Sequence, residues 1–212
     1  MLRILLADDH ELMRRGVREL LKAHDGWEVC GEAADGRQAV ALAAALQPAV
    51  AVIDLAMPEL NGLETARQIG RASPRTAVLL FAAHRSEAVA AEAAAAGARG
   101  YVLKSEAALR LVEAVETVAG GGAFEERTVP ADTRAPAAPR QRARARQQQL
   151  TPREREIAQL LAEGKTNWCV GTILGISART VETHRDKIMR KLGLESVVEL
   201  VHYAVRNRMV DP

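Results

Sequence analysis

Four charged residues in the first half of the chain have the types needed for phosphate chemistry on a metal ion. They are the pair Asp8-Asp9, then Asp54, then Lys104. A short apolar run comes directly before each of them. Clustered carboxylates repel one another without a cation, and their hard oxygen atoms suit Mg²⁺, which commonly bridges to phosphate. A carboxylate can also act as a nucleophile toward phosphorus, while a lysine neutralises charge on the transferring oxygens. We therefore expect a phosphate and magnesium site if the fold brings these residues together.

The apolar runs before these residues have the length and composition of buried parallel strands, and helix-like stretches separate them. The pattern predicts an α/β fold with a doubly wound, parallel, five-stranded sheet. Strands are expected near residues 2–7, 28–33, 50–54, 76–82 and 100–103, and helices near 11–24, 36–46, 63–70, 86–96 and 106–120. Residues just beyond the carboxyl ends of such strands meet in one crevice. Taken singly, an Asp pair is as often a turn or a helix cap, so it is the joint spacing that favours a site.

The composition is that of a globular protein. Apolar residues make up 48% of the 212 residues, and no apolar stretch is long enough to cross a bilayer. A cytoplasmic protein that has no membrane partner is the simplest interpretation. Cys30 and Cys169 lie far apart and lack partners at metal-ligand spacing, which predicts packing residues rather than a disulfide or a zinc site.

Charge is divided unevenly along the chain. Residues 1–126 carry 13 Lys and Arg against 18 Asp and Glu, a net −5, and the remainder carries 16 against 9, a net +7, which sum to the overall +2. The Pro- and Arg-containing segment after residue 124 has almost no large apolar residue, so it is expected to be an extended, flexible linker. We predict a first domain over 1–122, a Pro/Arg/Ala-rich linker over 123–149 and a basic domain over 150–212 with a polyanionic partner.

Capping residues predict that the second domain is all-α, with four helices. These residues are Thr151 with Glu154, Gly164, Gly175, Ser177, Gly193, and Ser196 with Glu199. The first and last pairs have the spacing of a capping box, and the glycines suit helix ends. A short helix, a turn containing Gly175 and a capped helix make a helix-turn-helix unit, whose second helix enters the major groove of DNA.

Three segments of the first domain resemble the signature of response-regulator receiver domains, over roughly the first 120 residues. They are Asp8-Asp9-His10, the nine residues from Asp54 to Gly62 and the five from Gly100 to Lys104. The resemblance implies a flavodoxin-like sheet of strand order 2-1-3-4-5. It implies that Asp54 accepts a phosphoryl group from a histidine kinase, that Lys104 contacts this group, and that Mg²⁺ is held by Asp8, Asp9, Asp54 and the backbone carbonyl of Ala56. Gly62 would shape the adjoining loop, as the residue able to take a positive φ.

Two positions depart from the receiver pattern. Receivers usually carry Ser or Thr at the end of the fourth strand, where the hydroxyl contacts the phosphoryl group, and the alignment puts Ala82 there. The resemblance implies that Ala82 and Tyr101 are the switch positions, and the coupling hydroxyl is absent. Ser105 stands where many receivers have proline, and it is expected to cap the following helix. We expect Asp54 to remain phosphorylatable while the output depends less on phosphorylation than in a typical member.

The second domain resembles the LuxR-type helix-turn-helix of NarL/FixJ regulators over nearly everything after Leu150. The resemblance rests on residues 150–156, 174–177, 180–184 and 190–193. On the third helix, Val181, Ile188 and Leu192 recur at helical spacing and are expected to face the core. The candidate contacts to double-stranded DNA are Thr180, Glu182, Thr183, Lys187, Arg190 and Lys191. The acidic and hydroxyl side chains near the N-terminal end suit base contacts, and the later basic residues suit phosphates.

The second helix of this domain departs from the LuxR pattern. Asn167-Trp168-Cys169-Val170-Gly171 replaces a more usual Asn-Lys-Glu-Ile-Ala, which removes a phosphate-contacting lysine. Trp168 is expected to be a partly buried packing residue, and packing along the DNA backbone is the alternative.

These features together predict a phosphorylation-regulated transcription regulator of a two-component system, and not an enzyme. A homodimer is expected, because the last helix has an apolar stripe (Val197, Leu200, Val201 and Ala204), although the same stripe could close the domain core. One alternative is an atypical regulator that binds DNA independently of phosphorylation and uses the receiver as a dimerisation module. A Mg²⁺-dependent phosphohydrolase is less favoured, since the aspartate that such enzymes place two residues after the nucleophile is absent.

Overall fold

The structure, a computed structural model, describes residues 1–83, 87–124, 150–207 and 209–210, with residues 87 and 88 described by their backbone alone. These residues form two units, one before and one after the segment 125–149, and each unit has its own hydrophobic core. Apart from its first two residues, the predicted linker lies outside the described residues.

In the first unit, strands and helices alternate along the chain. The strands are β1 (Leu2–Ala7), β2 (Trp27–Ala33), β3 (Val50–Asp54), β4 (Ala77–Ala82) and β5 (Gly100–Leu103), and the helices are α1 (Glu11–Lys22), α2 (Gly36–Leu46), α3 (Gly62–Ala72), α4 (Glu87–Ala95) and α5 (Ala107–Ala119). Neighbouring strands are parallel, and their order in the sheet is β2-β1-β3-β4-β5. The predicted fold class and strand order are confirmed.

Both faces of the sheet are covered, because successive side chains of a strand point to opposite sides. On β3, Ala51 and Ile53 lie in the core formed with α2, α3 and α4, whereas Val50 and Val52 lie in the core formed with α1 and α5. All five residues of β3 are buried. Asp54, the last of them, is therefore fixed at the centre of the carboxyl edge of the sheet.

Two boundaries of the first unit differ from the prediction. Phe124, which the predicted boundary assigned to the linker, is buried; its N–H donates to the Arg99 carbonyl at 2.8 Å, and the Arg110 guanidinium lies 5.2 Å from its ring centroid. The first domain therefore extends at least to Phe124. The predicted cap at Ser105 is also wrong, because Ser105 lies inside the 3₁₀ turn Lys104–Glu106, and Glu106 takes the N-cap position of α5.

The second unit contains the four predicted helices, α6 (Pro152–Ala162), α7 (Asn167–Leu174), α8 (Ala178–Leu192) and α9 (Val197–Arg206). The capping box at α6 is confirmed, since Thr151 Oγ1 accepts from the Glu154 N–H at 3.2 Å and Glu154 Oε2 accepts from the Thr151 N–H at 2.8 Å. The box predicted for α9 is only half present. Ser196 Oγ accepts from the Glu199 N–H, but the Glu199 carboxylate accepts from the N–H of Glu195.

The core of the second unit draws on all four helices. Its fully buried residues include Ile157, Val170, Val181, Ile188 and Leu200. As expected of packing residues, Cys30 in the first unit and Cys169 in the second are partly buried and form no disulfide. Within the described ranges, no helix is both long and apolar enough to cross a membrane.

Candidate functional site

The carboxyl ends of β1, β3 and β5 bring three of the predicted site residues into contact. Lys104 Nζ lies 2.7 Å from Asp54 Oδ2 and 2.8 Å from Asp8 Oδ2. The two carboxylates are almost fully buried, and the lysine side chain is 13% exposed. Because the β3 and β5 ends are separated by fifty residues of sequence, only the parallel sheet could assemble this group.

Burial and neighbouring charges shift the pKa values of Asp54 and Lys104 in opposite directions. Burial raises the pKa of the Asp54 carboxyl from 3.8 to about 6; Lys104 opposes that rise, and Asp8 adds to it. Burial alone would lower the pKa of the Lys104 ammonium, but the neighbouring Asp54 and Asp8 outweigh it and raise the pKa above its ordinary value. Asp54 is thus a carboxylate at neutral pH, held beside a permanent cation.

The acidic residues lie close enough together to hold a divalent cation. Ligand atoms of Asp8, Asp9, His10 and Asp54 lie within 4.8 Å of one another. Asp8 Oδ2 is buried, and its partner is the Lys104 ammonium at 2.8 Å, a cation on the side of the carboxylate that faces the cluster. A set rich in carboxylate oxygens suits Mg²⁺. The Ala56 N–H lies 3.4 Å from Asp54 Oδ1, which keeps Ala56 beside the same acid.

His10, the third residue of the Asp8-Asp9-His10 segment, also contacts this cluster. Its Nδ1 lies 2.9 Å from Asp9 Oδ1, and its backbone N–H donates to Asp8 Oδ1 at 2.8 Å. The ring is two-thirds exposed. The signal for this position was its adjacency to the aspartate pair, which alone does not reveal where the ring points.

A residue that sequence reasoning missed fixes the backbone of Asp8. Arg14 Nη1 donates to the Asp8 carbonyl at 2.6 Å, while the Asp8 N–H donates to the Ala33 carbonyl at 3.2 Å. The guanidinium is itself held by Glu32, with Nε 3.4 Å from Oε2. Arg14 therefore ties the loop that carries the acid pair to α1 and, through Glu32, to β2.

Gly62 shapes the loop after β3, but by a different means from the one predicted. It does not have a positive φ; in this loop the left-handed conformation belongs to Glu59, with φ 64°. A Cβ on Gly62 would lie 2.3 Å from the Asp54 carbonyl oxygen, and the Gly62 N–H donates to the Leu55 carbonyl at 2.8 Å. Glycine is required here because the backbone of α3 approaches the acceptor strand so closely.

The predicted switch positions lie on β4, which neighbours the strand of Asp54, and on β5 beyond it. Ala82 is the buried last residue of β4, where it pairs with Leu103 just before the lysine. Its side chain is a methyl group and offers no hydroxyl to the site. Tyr101 is also buried, at 7% exposure. Residues 84–86, which follow in this loop, are outside the described residues.

In the second unit, α7 and α8 form the predicted helix-turn-helix. Gly175 ends α7 in a left-handed conformation, and Ser177 Oγ accepts from the Thr180 N–H at 3.0 Å to begin α8. The predicted inward residues of α8 are confirmed, since Val181 and Ile188 are fully buried and Leu192 packs against the same core. We define the exposed face of α8 by five predicted DNA contacts that are all solvent-exposed: Thr180, Glu182, Thr183, Lys187 and Arg190.

Lys191 and Trp168 are placed differently from the expectation. Lys191 Nζ lies 2.8 Å from Glu154 Oε2 on α6, so the ammonium is engaged inside the unit. Burial alone would raise the pKa of Glu154, but Lys191 and the Thr151 cap lower it below its ordinary value. The packing role predicted for Trp168 is wrong: the indole is 71% exposed on α7.

The apolar stripe of α9 is divided between the core and the surface. Leu200 and Ala204 are fully buried, which matches the alternative that the stripe closes the domain core. Val197 and Val198 at the start of the helix are 48% and 62% exposed.

Comparison with known proteins agrees with the division of the chain into two units. Residues 4–116 match the response regulator receiver domain family, and residues 148–204 match the luxR family of bacterial regulatory proteins. The chain is 34% identical over 211 residues to the transcriptional regulatory protein LiaR of Bacillus subtilis, covering 100% of both chains. It is 34% identical over 207 residues to the nitrate/nitrite response regulator protein NarL of Escherichia coli, covering 97% of this chain and 96% of that protein.

Solved structures are similar to the same two parts. The signal receiver domain of the putative response regulator NarL from Mycobacterium tuberculosis matches 57% of this chain and 97% of its own, with a TM-score of 0.55 and 37% identity. RcsB from Salmonella enterica serovar Typhimurium, solved bound to promoter rprA, matches 96% of this chain and 98% of its own, with a TM-score of 0.61. At 23% identity, the RcsB likeness shows the fold alone.

Proposed function

Because this chain belongs to the NarL/FixJ family of two-component response regulators, we propose that it controls transcription through phosphorylation of Asp54. The observation that carries this proposal is the contact of Lys104 with both Asp54 and Asp8 at the carboxyl edge of the sheet. A buried carboxylate beside a cation, next to the carboxylates of Asp8 and Asp9, has the arrangement needed to accept a phosphoryl group.

In the proposed transfer, an oxygen of Asp54 attacks the phosphorus of a phosphohistidine on the kinase. The P–N bond breaks, its electron pair stays with the histidine nitrogen, and an acyl phosphate forms on Asp54. Lys104 leaves its ion pair to balance the charge on the phosphoryl oxygens. Asp8, Asp9, Asp54 and the Ala56 carbonyl are the proposed ligands of Mg²⁺, which would neutralise the remaining negative charge when bound.

The proposed output is binding to double-stranded DNA by the second domain. The basic second half of the chain suits a polyanion, and the exposed face of α8 combines hydroxyl and acidic groups near its start with cations further along. We assign base contacts to Glu182 and Thr183, with Thr180 beside them, and phosphate contacts to Lys187 and Arg190. Lys191 is left out of this set because of its ion pair with Glu154. Homodimerisation, with Val198 exposed near the start of α9, is part of the proposal.

Mass spectrometry of the intact protein after incubation with acetyl phosphate and MgCl₂ tests the acceptor role. We expect one phosphoryl adduct on the wild type and none on Asp54→Asn. A persistent adduct on Asp54→Asn would assign the acceptor role elsewhere.

Ala82 favours a second candidate function, in which the domain binds DNA whether or not Asp54 is phosphorylated. A hydrogen bond to a charged group contributes on the order of 1.5–3 kcal/mol, so losing the coupling hydroxyl weakens the switch without preventing Asp54 from accepting a phosphoryl group.

A phosphohydrolase is the less favoured alternative. The family is one of transcription regulators, and the residue two positions after Asp54 is Ala56, which leaves a phosphohydrolase without its acid and base.

A further inference from the structure

Trp168 is the large aromatic side chain that the packing of the second unit does not use. It lies in the first turn of α7, whose Val170 and Leu174 face the core, and its indole is 71% exposed. The proposed α8 contacts do not involve it. A mostly exposed tryptophan on a DNA-binding unit therefore needs its own explanation.

The indole forms one wall of a cleft of about 560 Å³ beside α8. Two cations line this cleft, Lys165 just before α7 and Arg185 on α8, and none of the described residues that line it is a carboxylate. The nearest ion-pair partners of these cations, Glu163 and Asp186, stand 3.9 Å away, near the limit of an ion pair. The cleft therefore offers an aromatic surface and two weakly paired cations to an anionic, partly apolar ligand.

In a helix-turn-helix, the first helix crosses the DNA backbone while the second lies in the major groove. We propose that Trp168 packs against the deoxyribose-phosphate backbone of duplex DNA next to the groove entered by α8, with Lys165 and Arg185 facing the adjoining phosphate. A sugar presents C–H groups to the indole face, and the indole N–H can donate to a phosphate oxygen. The tryptophan thereby contacts the DNA backbone by packing, whereas a lysine at this position would contact it through its charge. This inference rests on the proposed DNA binding of the second domain.

The second copy of the chain is the other occupant to consider, since Val197 also lines the cleft. The charge of the lining favours DNA, because the described lining has two cations and no carboxylate, and the same face of a second copy would bring two more cations against it.

Fluorescence gives a direct test, because the chain has only two tryptophans. In full-length Trp27→Phe protein, Trp168 is the sole tryptophan. Titration with a mixed-sequence 30-base-pair duplex at low salt should quench its emission in step with binding measured by anisotropy of labelled DNA. Binding seen by anisotropy without any change in Trp168 emission would overturn the proposal.

Substitutions in the same Trp27→Phe background separate packing from charge. Trp168→Ala should weaken the duplex affinity about fivefold to tenfold with an unchanged salt slope, since a neutral side chain releases no counterion. Trp168→Phe should recover part of the loss. Trp168→Lys should recover affinity at low salt and steepen the slope by about 0.9. Circular dichroism melts check that each variant is folded, as expected for a mostly exposed position.

The possible failures are distinguishable. If the parent protein binds no duplex, the proposed DNA binding itself fails. If the parent binds and Trp168→Ala binds equally well, only the inference about Trp168 fails. If Trp168→Ala changes the sedimentation of the free protein but not its DNA affinity, the cleft belongs to a contact between two copies.

Discussion

The Lys104 ammonium lies 2.7 Å from Asp54 Oδ2, across fifty residues of sequence and at the ends of two strands of one sheet. The lysine is thus in place before any phosphoryl group arrives, and it compensates a carboxylate that is almost fully buried. In the proposed transfer, a phosphoryl group on Asp54 would draw this ammonium away from Asp8. Phosphorylation would therefore also rearrange the charge at the end of β5.

The raised pKa of Asp54 predicts how its carboxyl titrates in the protein without Mg²⁺. Burial raises this pKa to about 6, so the carboxyl carbon signal of Asp54 should move with pH through that value. Carbon-13 NMR of aspartate-labelled protein in EDTA measures this across about pH 5 to 8, and Asp54→Asn assigns the signal. A signal that does not move in this window would show that Asp54 ionises near its ordinary pKa.

The same pKa shift has a consequence for stability. The folded Asp54 carboxyl keeps its proton up to about pH 6, whereas an unfolded one loses it near 3.8. Between these values the folded state binds more protons, so the contribution of Asp54 to the free energy of unfolding falls as pH rises. In denaturant titrations without Mg²⁺, the free energy of unfolding of the wild type minus that of Asp54→Asn should therefore fall as pH rises from about 4 to about 6.

Restoring a hydroxyl at the end of β4 should strengthen the response to phosphorylation. Ala82→Thr is expected to increase the ratio of DNA affinities with and without acetyl phosphate by about tenfold, the scale of one hydrogen bond to a charged group. Both this change and Ala82→Val enlarge a buried position and should lower stability by about 1–3 kcal/mol. Ala82→Val has the shape of threonine without its hydroxyl, so an equal gain in both variants would assign the effect to packing.

Arg14 should act as a positioning residue for the acidic cluster. Arg14→Gln removes the charged donor to the Asp8 carbonyl and is expected to weaken Mg²⁺ binding about tenfold, as for other groups that hold a metal ligand in place. Isothermal titration with MgCl₂ measures this without any phosphorylation step. Arg15→Gln is the matched control, since Arg15 is 63% exposed and pairs with Glu11. Equal losses of Mg²⁺ affinity in both variants would assign the effect to the removal of a positive charge and not to the contact with Asp8.

Lys187 and Lys191, four residues apart on α8, should behave differently. Lys187→Ala is expected to weaken DNA binding and reduce the salt slope by about 0.9, because an exposed cation on a phosphate is lost. Lys191→Ala should leave that slope unchanged and lower the melting temperature of the second domain, because Glu154 loses its partner. The reverse pattern would contradict the assignment of the exposed face of α8.

The sequence was sufficient to predict the site residues that depend on topology. Once β1, β3 and β5 are known to be parallel, Asp8, Asp54 and Lys104 must meet, since each directly follows or ends a strand. Cap residues such as Thr151 and Ser177 accept a hydrogen bond from the N–H three residues later. Because that spacing is local, the starts of these helices could also be predicted from the sequence.

What the sequence did not predict depends on packing between elements. The bond from Arg14 to the Asp8 carbonyl requires the angle at which α1 leaves the sheet, and the need for Gly62 comes from a backbone approach that no local pattern records. Lys191 lies within the basic end of α8, yet its partner Glu154 is 37 residues away. Tryptophan usually packs, and only the assembled helices leave Trp168 exposed.

The most direct test of the account compares duplex DNA affinity for the wild type and Asp54→Asn, each with and without acetyl phosphate and Mg²⁺. Anisotropy titrations at one fixed salt concentration suffice. We predict tighter binding of the phosphorylated wild type and no response in Asp54→Asn. One affinity in all four states, or a response to acetyl phosphate that persists in Asp54→Asn, would contradict the claim that Asp54 controls DNA binding.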